Sequence, residues 1–344
     1  MVQETTRIVI PNLVVSLIEK AIEARESLFG ARHESAFRLF NGFTEGYPDL
    51  VIDLYASTLV MHNYADNPAQ GKLLAEQAGK FLQDRLLWLH AGIIKTRHGN
   101  TQDEKRGQFL FGEKPDTKIK EHGVWYSVDL MMNRDASFYL DTSNLRKWLI
   151  DHMKDKTILN TFAYTGSLGV AALAAGARRV VQHDLNRQFL NVAKTSYMLN
   201  SFPIDKQDFI AADFFTLVGK LKRTNETFDC LLIDPPFFSR TSRGKVDQVN
   251  ESARLINKVR PLIRDGGTLI AINNALYVSG GAYMQTIEAL CKDGYLKIKE
   301  LIHVPEDFTG YPETRVGNLI TDPTPFNHST KIVILDVKRK PVTS

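Results

Sequence analysis

The residues best suited to chemistry stand at the ends of short apolar runs. Asp234-Pro235-Pro236-Phe237 follows Cys230-Leu231-Leu232-Ile233, which places an acid, two prolines and an aromatic ring just past a buried strand. Neither proline can donate a ladder hydrogen bond, so the pair stiffens the backbone and directs its carbonyls. A carboxylate and a fixed carbonyl can accept hydrogen bonds from a planar nitrogen-bearing base, on which Phe237 can stack. As a plain turn, Pro-Pro-Phe-Phe would be an odd way to expose two aromatics.

Three further strand ends carry signals of the same kind. Asn160-Thr161-Phe162-Ala163-Tyr164-Thr165-Gly166-Ser167-Leu168-Gly169 joins the apolar Thr157-Ile158-Leu159 to an Ala/Leu-rich helix, and its small residues let backbone approach a ligand. Eighteen residues past Gly166, the strand Val180-Val181-Gln182-His183 ends on Asp184. A carboxylate at that tip is well placed to accept from both ribose hydroxyls of a nucleoside. Asp213, between Ile210-Ala211-Ala212 and Phe214, can accept from an adenine amino group with Phe214 against the ring. It can equally cap the helix that starts at Phe214, and both roles can hold together. Four such signals in register favour a ligand site at the carboxyl ends of a sheet over capping alone. Beyond Phe237, Ser239-Arg240-Thr241-Ser242-Arg243-Gly244-Lys245 reads as a basic loop. Arg240, Arg243 and Lys245 are candidate phosphate contacts there, against the alternative of a merely solvated loop.

Regular strand–helix alternation positions these residues. From Asn144 onward the pattern predicts strands at 157–161, 179–183, 208–211, 228–233, 267–272, 296–303 and 331–337. Helices fall between the first six, at 167–175, 186–199, 214–222, 247–264 and 282–292. Such alternation implies right-handed crossovers and an α/β fold with a doubly wound, mainly parallel sheet. A long polar loop over 305–329 lets the seventh strand return antiparallel beside the sixth. The preceding residues predict a helix over 13–28, strands at 50–55, 58–62, 93–95 and 124–130, a helix over 68–89 and a polar loop at 100–106. The expected organisation is a small α+β domain over 1–125 and a larger α/β domain over 126–344.

Composition narrows the classes. The chain of 344 residues has a net charge of +4 and only two cysteines, Cys230 and Cys291, which excludes a disulfide framework or a cysteine zinc cluster. No apolar run approaches a membrane span, and residues 1–10 lack the core of a signal peptide, so a cytoplasmic protein is expected. Residues 1–130 hold 15 Lys+Arg against 17 Asp+Glu, while residues 131–344 hold 28 against 22. Excess positive charge on the motif-bearing part suits a polyanionic partner or simple solubility.

Together, Asn160 to Gly166, Asp184, Asp213 and Asp234 to Phe237 resemble class I S-adenosylmethionine-dependent methyltransferases. With Ser137-Phe138-Tyr139-Leu140-Asp141 and Asn144-Leu145-Arg146, the set is similar to bacterial 23S ribosomal RNA base methyltransferases, a group of cytosine-C5 and guanine-N7 enzymes. Asn41-Gly42 and Gly46-Tyr47-Pro48-Asp49-Leu50-Val51-Ile52-Asp53 match the small domain that precedes catalysis there, so the resemblance runs from about residue 15 to 338. It implies a Rossmann-like methyltransferase sheet, S-adenosylmethionine as cofactor, RNA as partner and no metal. Phe138, Leu140 and Asp141 would border the cofactor. Asn160, Phe162, Ala163 and Gly166 would line its methionine end, Asp184 with Leu185 the ribose, and Asp213 with Phe214 the adenine. Asp234, Pro235, Pro236 and Phe237 would face the methyl acceptor, with Asp234 and the Pro235 carbonyl orienting it.

Two departures refine the expectation. Methylation at cytosine C5 needs a thiolate to attack C6, and cytosine enzymes of the group carry that cysteine after the fifth strand. Here the segment is Ala271-Ile272-Asn273-Asn274-Ala275, whose paired asparagines resemble the guanine-N7 branch and make Asn273 a candidate substrate residue. Cys230 and Cys291 read as structural. The N-terminal RNA-binding domain of the cytosine members also has no counterpart, leaving RNA contact to the small domain and the basic loop. The expected activity is direct transfer to a base nitrogen of ribosomal RNA, guanine favoured. The alternatives are a methyltransferase for a small molecule or protein, a nucleotide-dependent oxidoreductase, and a ribosome-binding module without catalysis. Asp234 to Phe237 would be idle in either of the last two. His183, His303 and His328 are expected to be structural or solvated, and monomer and homodimer both stay open.

Overall fold

The computed structural model describes residues 12–339. The chain divides into two compact units. The first takes the described residues up to Glu121 together with Val128–Leu140 and Glu306–Asn318, and the second takes His122–Ser127, Asp141–Pro305 and the described residues from Leu319.

The first unit holds a five-stranded sheet in simple order: β1 (Ala36–Asn41), β2 (Leu50–Tyr55), β3 (Thr58–Asn63), β4 (Ala91–Thr96) and β5 (Gln108–Phe111). Only β3 and β4 pair parallel, because helix α2 (Pro68–Arg85) carries the chain across between them. Helix α1 (Asn12–Ala24) buries Val14, Ile18, Ala21 and Ile22, the stripe expected of a 3.6-residue repeat. The stretch 100–106, expected as a loop, contains a short helix, Gln102–Arg106. A capping box starts it: Thr101 Oγ1 accepts from the Glu104 amide, and the Glu104 carboxylate accepts from the Thr101 amide. Part of the long polar loop also belongs to this unit. Asp307 there accepts from the Arg38 amide at 2.8 Å, and its carbonyl accepts from the Arg25 guanidinium.

The second unit holds the seven-stranded sheet. Its strands are β6 (Thr157–Thr161), β7 (Arg179–Asp184), β8 (Phe209–Ala211), β9 (Phe228–Ile233), β12 (Ile263–Asn273), β13 (Leu296–Ile302) and β14 (Lys331–Val337). The short strands β10 (Phe238–Thr241) and β11 (Gly244–Asp247) form a separate hairpin. Strand order is β8-β7-β6-β9-β12-β14-β13, so the order reverses between β6 and β9. The first five strands are parallel, and β14 runs antiparallel to both β12 and β13. The last strand does lie beside the sixth, as expected, but it also inserts next to the fifth. Apolar runs such as Cys230–Ile233 arise because both faces are covered: Leu231, Ile233, Leu269 and Ala271 join one core, and Cys230, Leu232, Ile270 and Ile272 the other. The helices are α3 (Ser143–His152), α4 (Ser167–Ala174), α5 (Arg187–Leu199), α6 (Phe214–Arg223), α7 (Ser252–Val259) and α8 (Gly280–Cys291).

Two local expectations need correction. The basic stretch 239–245 is a hairpin with Ser242-Arg243 as its two-residue link. Gly244 permits it, since a Cβ there would meet the Phe215 ring at 2.5 Å. The helix expected over 247–264 is only α7; a 3-10 turn containing Pro261 ends it, and β12 begins at Ile263. Among the described residues no helix is long and apolar enough to cross a membrane.

Candidate active site

The turn after β6 is tightly wound: Phe162 (φ 55°), Tyr164 (φ 51°) and Gly166 (φ 76°) all adopt left-handed backbone. Buried polar side chains hold it. Asn160 Nδ2 donates to Gln182 Oε1 at 2.9 Å, and Gln182 Nε2 donates to the Gly166 carbonyl at 3.1 Å and to the Tyr197 hydroxyl at 3.3 Å. The close approach expected of a ligand at the glycines is made by the protein itself. A Cβ on Gly166 would stand 2.6 Å from Ala193 Cβ, and one on Gly169 would stand 2.1 Å from Gln182 Nε2. Asn160, 1% exposed, thus supports the turn from beneath. The Ala163 amide ties the turn to β7 by donating to the His183 carbonyl at 2.7 Å.

Asp184 closes the same corner. Its Oδ2 accepts from the Tyr164 amide and its Oδ1 from the Asn186 amide, each at 2.9 Å. Each oxygen retains acceptor capacity for a ligand, and Leu185 beside it is exposed. Asp213 caps α6 by accepting from the Thr216 amide at 3.1 Å, and its Oδ2 accepts from the Thr241 hydroxyl at 2.7 Å. Burial opposes its charge, but hydrogen bonds from Thr241, Thr216 and Phe215 outweigh it and hold the carboxyl below its ordinary range. Phe214, expected against an adenine ring, is instead buried in the core on Phe162, with ring centroids 4.7 Å apart. Phe138 and Leu140 fall in the first unit, where both are buried and the Phe138 carbonyl accepts from the Tyr55 hydroxyl at 3.0 Å. Asp141 belongs to the second unit and accepts from the Thr330 hydroxyl at 2.7 Å.

At the end of β9, Asp234 has one oxygen, Oδ1, buried without a hydrogen-bond partner among the described residues. Burial, with the Asp141 charge added, pushes its carboxyl up to about 7. Phe237 and Phe238 beyond it are about half exposed, at 51% and 54%. The Pro235 carbonyl, expected to face the acceptor, receives a hydrogen bond from Gln248 Nε2. Asn273, expected at the substrate, is 1% exposed and committed internally. Its Nδ2 donates to the Gln248 carbonyl and to Ser252 Oγ at 3.2 Å each, and its Oδ1 accepts from the Ala275 amide at 3.0 Å. Buried Lys331 donates to the carbonyls of Ala275 and Ser329, at 3.0 and 2.5 Å, and burial draws its ammonium down to about 8.

Arg240 and Arg243 are exposed and form no ion pair among the described residues, whereas Lys245 is paired with Asp247 at 3.1 Å and with Glu251 at 3.6 Å. On the hairpin Phe238 and Arg240 alternate with Ser239 and Thr241, which puts Arg240 on the face opposite the Thr241–Asp213 bond. Cys230 lies buried inside β9 with its thiol pushed up to about 12 by burial, and burial raises Cys291 as well. His183 is buried, hydrogen-bonded to the Ala212 carbonyl and held below its usual range by that burial. Among the described residues no group of three or more His, Cys, Asp or Glu could hold a metal ion.

Gln182, Gln248 and Lys331 were not singled out from the sequence. Gln182 does leave a trace, a polar side chain inside Val-Val-Gln-His, and Lys331 opens an apolar strand. Gln248 leaves none, because its partners lie 13 and 26 residues away.

An S-adenosine ligand suits a glycine turn, a ribose-height acid and an open acceptor turn along one sheet end, and comparison with known proteins decides the matter. Residues 38–312 match the family described as S-adenosylmethionine-dependent methyltransferase. The chain belongs to this family. Among similar proteins, the ribosomal RNA large subunit methyltransferase I of Aeromonas salmonicida is 28% identical over 304 residues, covering 86% of this methyltransferase and 76% of that one. The enzyme of the same name from Vibrio cholerae is 30% identical over 261 residues, covering 74% and 65%. Bacillus subtilis YwbD, provisionally named a ribosomal RNA large subunit methyltransferase, is 28% identical over 310 residues, covering 87% and 77%. The fold of the methyltransferase is shared with SMU.776, solved in complex with SAH: TM-score 0.82, 21% identity, covering 95% of this chain and 81% of that chain. S-adenosylmethionine is therefore the cofactor, and it supplies an electrophilic methyl group.

Proposed function

We propose that this methyltransferase modifies a base nitrogen of large-subunit ribosomal RNA by direct transfer, with guanine favoured, as the resemblance of its paired asparagines to a guanine-N7 branch suggests. The acceptor turn carries the reading: Asp234 offers a buried oxygen without a partner, Phe237 offers an exposed ring, and both cysteines have thiols raised by burial. A C5 mechanism needs a thiolate; a ring nitrogen with its own lone pair needs only alignment. The names of the relatives support ribosomal RNA as the partner.

In this reading Asp184 receives the ribose hydroxyls, and Phe162, Ala163 and Gly166 border the methionine end. Asp213 serves the adenine side, with Leu185 beside the ribose and Asp141 bordering the cofactor. Phe237 stacks on the target base while Asp234 accepts from its edge. Arg240 and Arg243 contact phosphates. Residues 1–125 serve as a substrate domain and 126–344 carry out transfer.

Nucleoside mass spectrometry of ribosomal RNA from cells with and without the gene tests this. Loss of one methylguanosine is the expected result. Loss of 5-methylcytidine would overturn the nitrogen assignment, and an unchanged profile would overturn ribosomal RNA as substrate.

A further inference from the structure

We propose that Gln248 is a positioning residue of the acceptor site, fastening the Asp234–Phe237 turn to the segment that follows β12 through both ends of one amide. The inference rests on the reading that this turn faces the methyl acceptor.

Strands β9 and β12 are parallel neighbours, with Ile233 opposite Ala271, so their following segments leave the sheet side by side. Ladder hydrogen bonds cannot continue along the turn, because Pro235 and Pro236 carry no N–H. At the two prolines the backbone can be held only through its carbonyls, and Gln248 supplies two donors to the turn. Its Nε2 donates to the Pro235 carbonyl, and its backbone amide donates to the Phe237 carbonyl at 3.1 Å. The other end of the same side chain, Oε1, accepts from the Asn274 amide at 2.9 Å. Gln248 is itself fixed, since its carbonyl accepts from Asn273 Nδ2 at 3.2 Å and from Ser252 Oγ at 2.5 Å. The residue is 1% exposed, which keeps water from substituting for either partner.

The chemistry of the clamp is specific. One planar group must donate at one end and accept at the other. Asparagine is one methylene shorter, leucine can do neither, and an ionised glutamate can accept but cannot donate. A protonated glutamate can do both, and burial raises the pKa of an introduced carboxyl into a workable range.

Gln248→Glu and Gln248→Leu test this in the full-length protein. Methyl transfer from labelled S-adenosylmethionine to ribosomal RNA of a strain lacking the gene gives kcat and KM. Amide hydrogen exchange over 237–241 and 274–278 reads the clamp without RNA. We expect Gln248→Glu at pH 8 to lose about tenfold in kcat, with faster exchange in both segments. Cofactor Kd should stay close to wild type, while the Tm of Gln248→Glu should fall at pH 8 and return toward wild type at pH 6. Between pH 8 and 6 its kcat relative to wild type should recover, while Gln248→Leu should not. Wild-type exchange in the variants, or equal loss at every pH together with a lowered Tm, would overturn the proposal. If the wild type methylates no ribosomal RNA yet exchange rises in the variants, the substrate reading fails and the clamp stands.

Discussion

Gln182 lies so close to Gly169 that a Cβ on the glycine would stand 2.1 Å from its Nε2. That nitrogen also donates to the Gly166 carbonyl, so the glycine makes room for the side chain that holds the turn after β6. Gly169→Ala should therefore displace Gln182, lower stability by about 1–3 kcal/mol and weaken cofactor binding about tenfold or more. Gly169→Ala combined with Gln182→Ala should regain part of the stability, because the clash goes with the amide. Calorimetric titration and thermal melts on the two single variants and the double variant check this.

The Asp234 carboxyl sets a pH dependence. Its folded value of about 7 lies above the ordinary 3.8, so between those values the folded state holds a proton that the unfolded state has released. The stability this proton provides is fully present below about pH 4 and is lost as pH rises through about 7. Asp234→Asn cannot ionise, so its Tm should exceed that of wild type at pH 8 by at least about 2 °C, with the gap closing toward pH 5. Methyl transfer should fall in the same variant. Melts at pH 5, 6.5 and 8 decide it, and a gap independent of pH would refute the assignment.

The cysteines separate two chemistries. A protein with both Cys230→Ala and Cys291→Ser should keep transfer within about threefold of wild type, since no thiolate step is required. A loss beyond about a hundredfold, with the melt retained, would restore a covalent route.

The hairpin should act through charge. Arg240→Ala with Arg243→Ala should weaken RNA binding and reduce the slope of log K against log salt by about 1.4 for a single strand, leaving cofactor affinity unchanged. Lys245→Ala should do less, because Asp247 and Glu251 already partner that ammonium. Binding isotherms over a range of salt concentrations measure both.

Much of the catalytic fold was legible in local pattern. The strand runs around Leu159, Val181, Leu231, Leu269 and Val333 are apolar because each is covered on both faces, and Asp184 and Asp234 stand at the ends of two of them. Asp213 was legible as a cap because capping is a local hydrogen bond. What local pattern hides is the partner of a side chain distant in sequence. Asn273 read as a substrate group because nothing near it shows that Gln248 and Ser252 take its amide. The basic stretch read as a loop because its inward face is set by Phe215 and Asp213, neither of which is adjacent in sequence. The insertion of β14 beside β12 was likewise invisible, as an apolar strand carries no mark of which neighbour it will choose.

That insertion bears on how the protein is made. β14 is translated last of the seven strands yet stands inside the sheet, pairing with Gly267–Asn273 on one side and with β13 on the other. Until residue 337 has left the ribosome, β12 keeps an unpaired edge, and the Ala275 carbonyl lacks the Lys331 ammonium that secures it. A nascent chain stalled before residue 331 therefore exposes a sticky apolar edge on β12, beside a following segment that the Lys331 ammonium has yet to anchor.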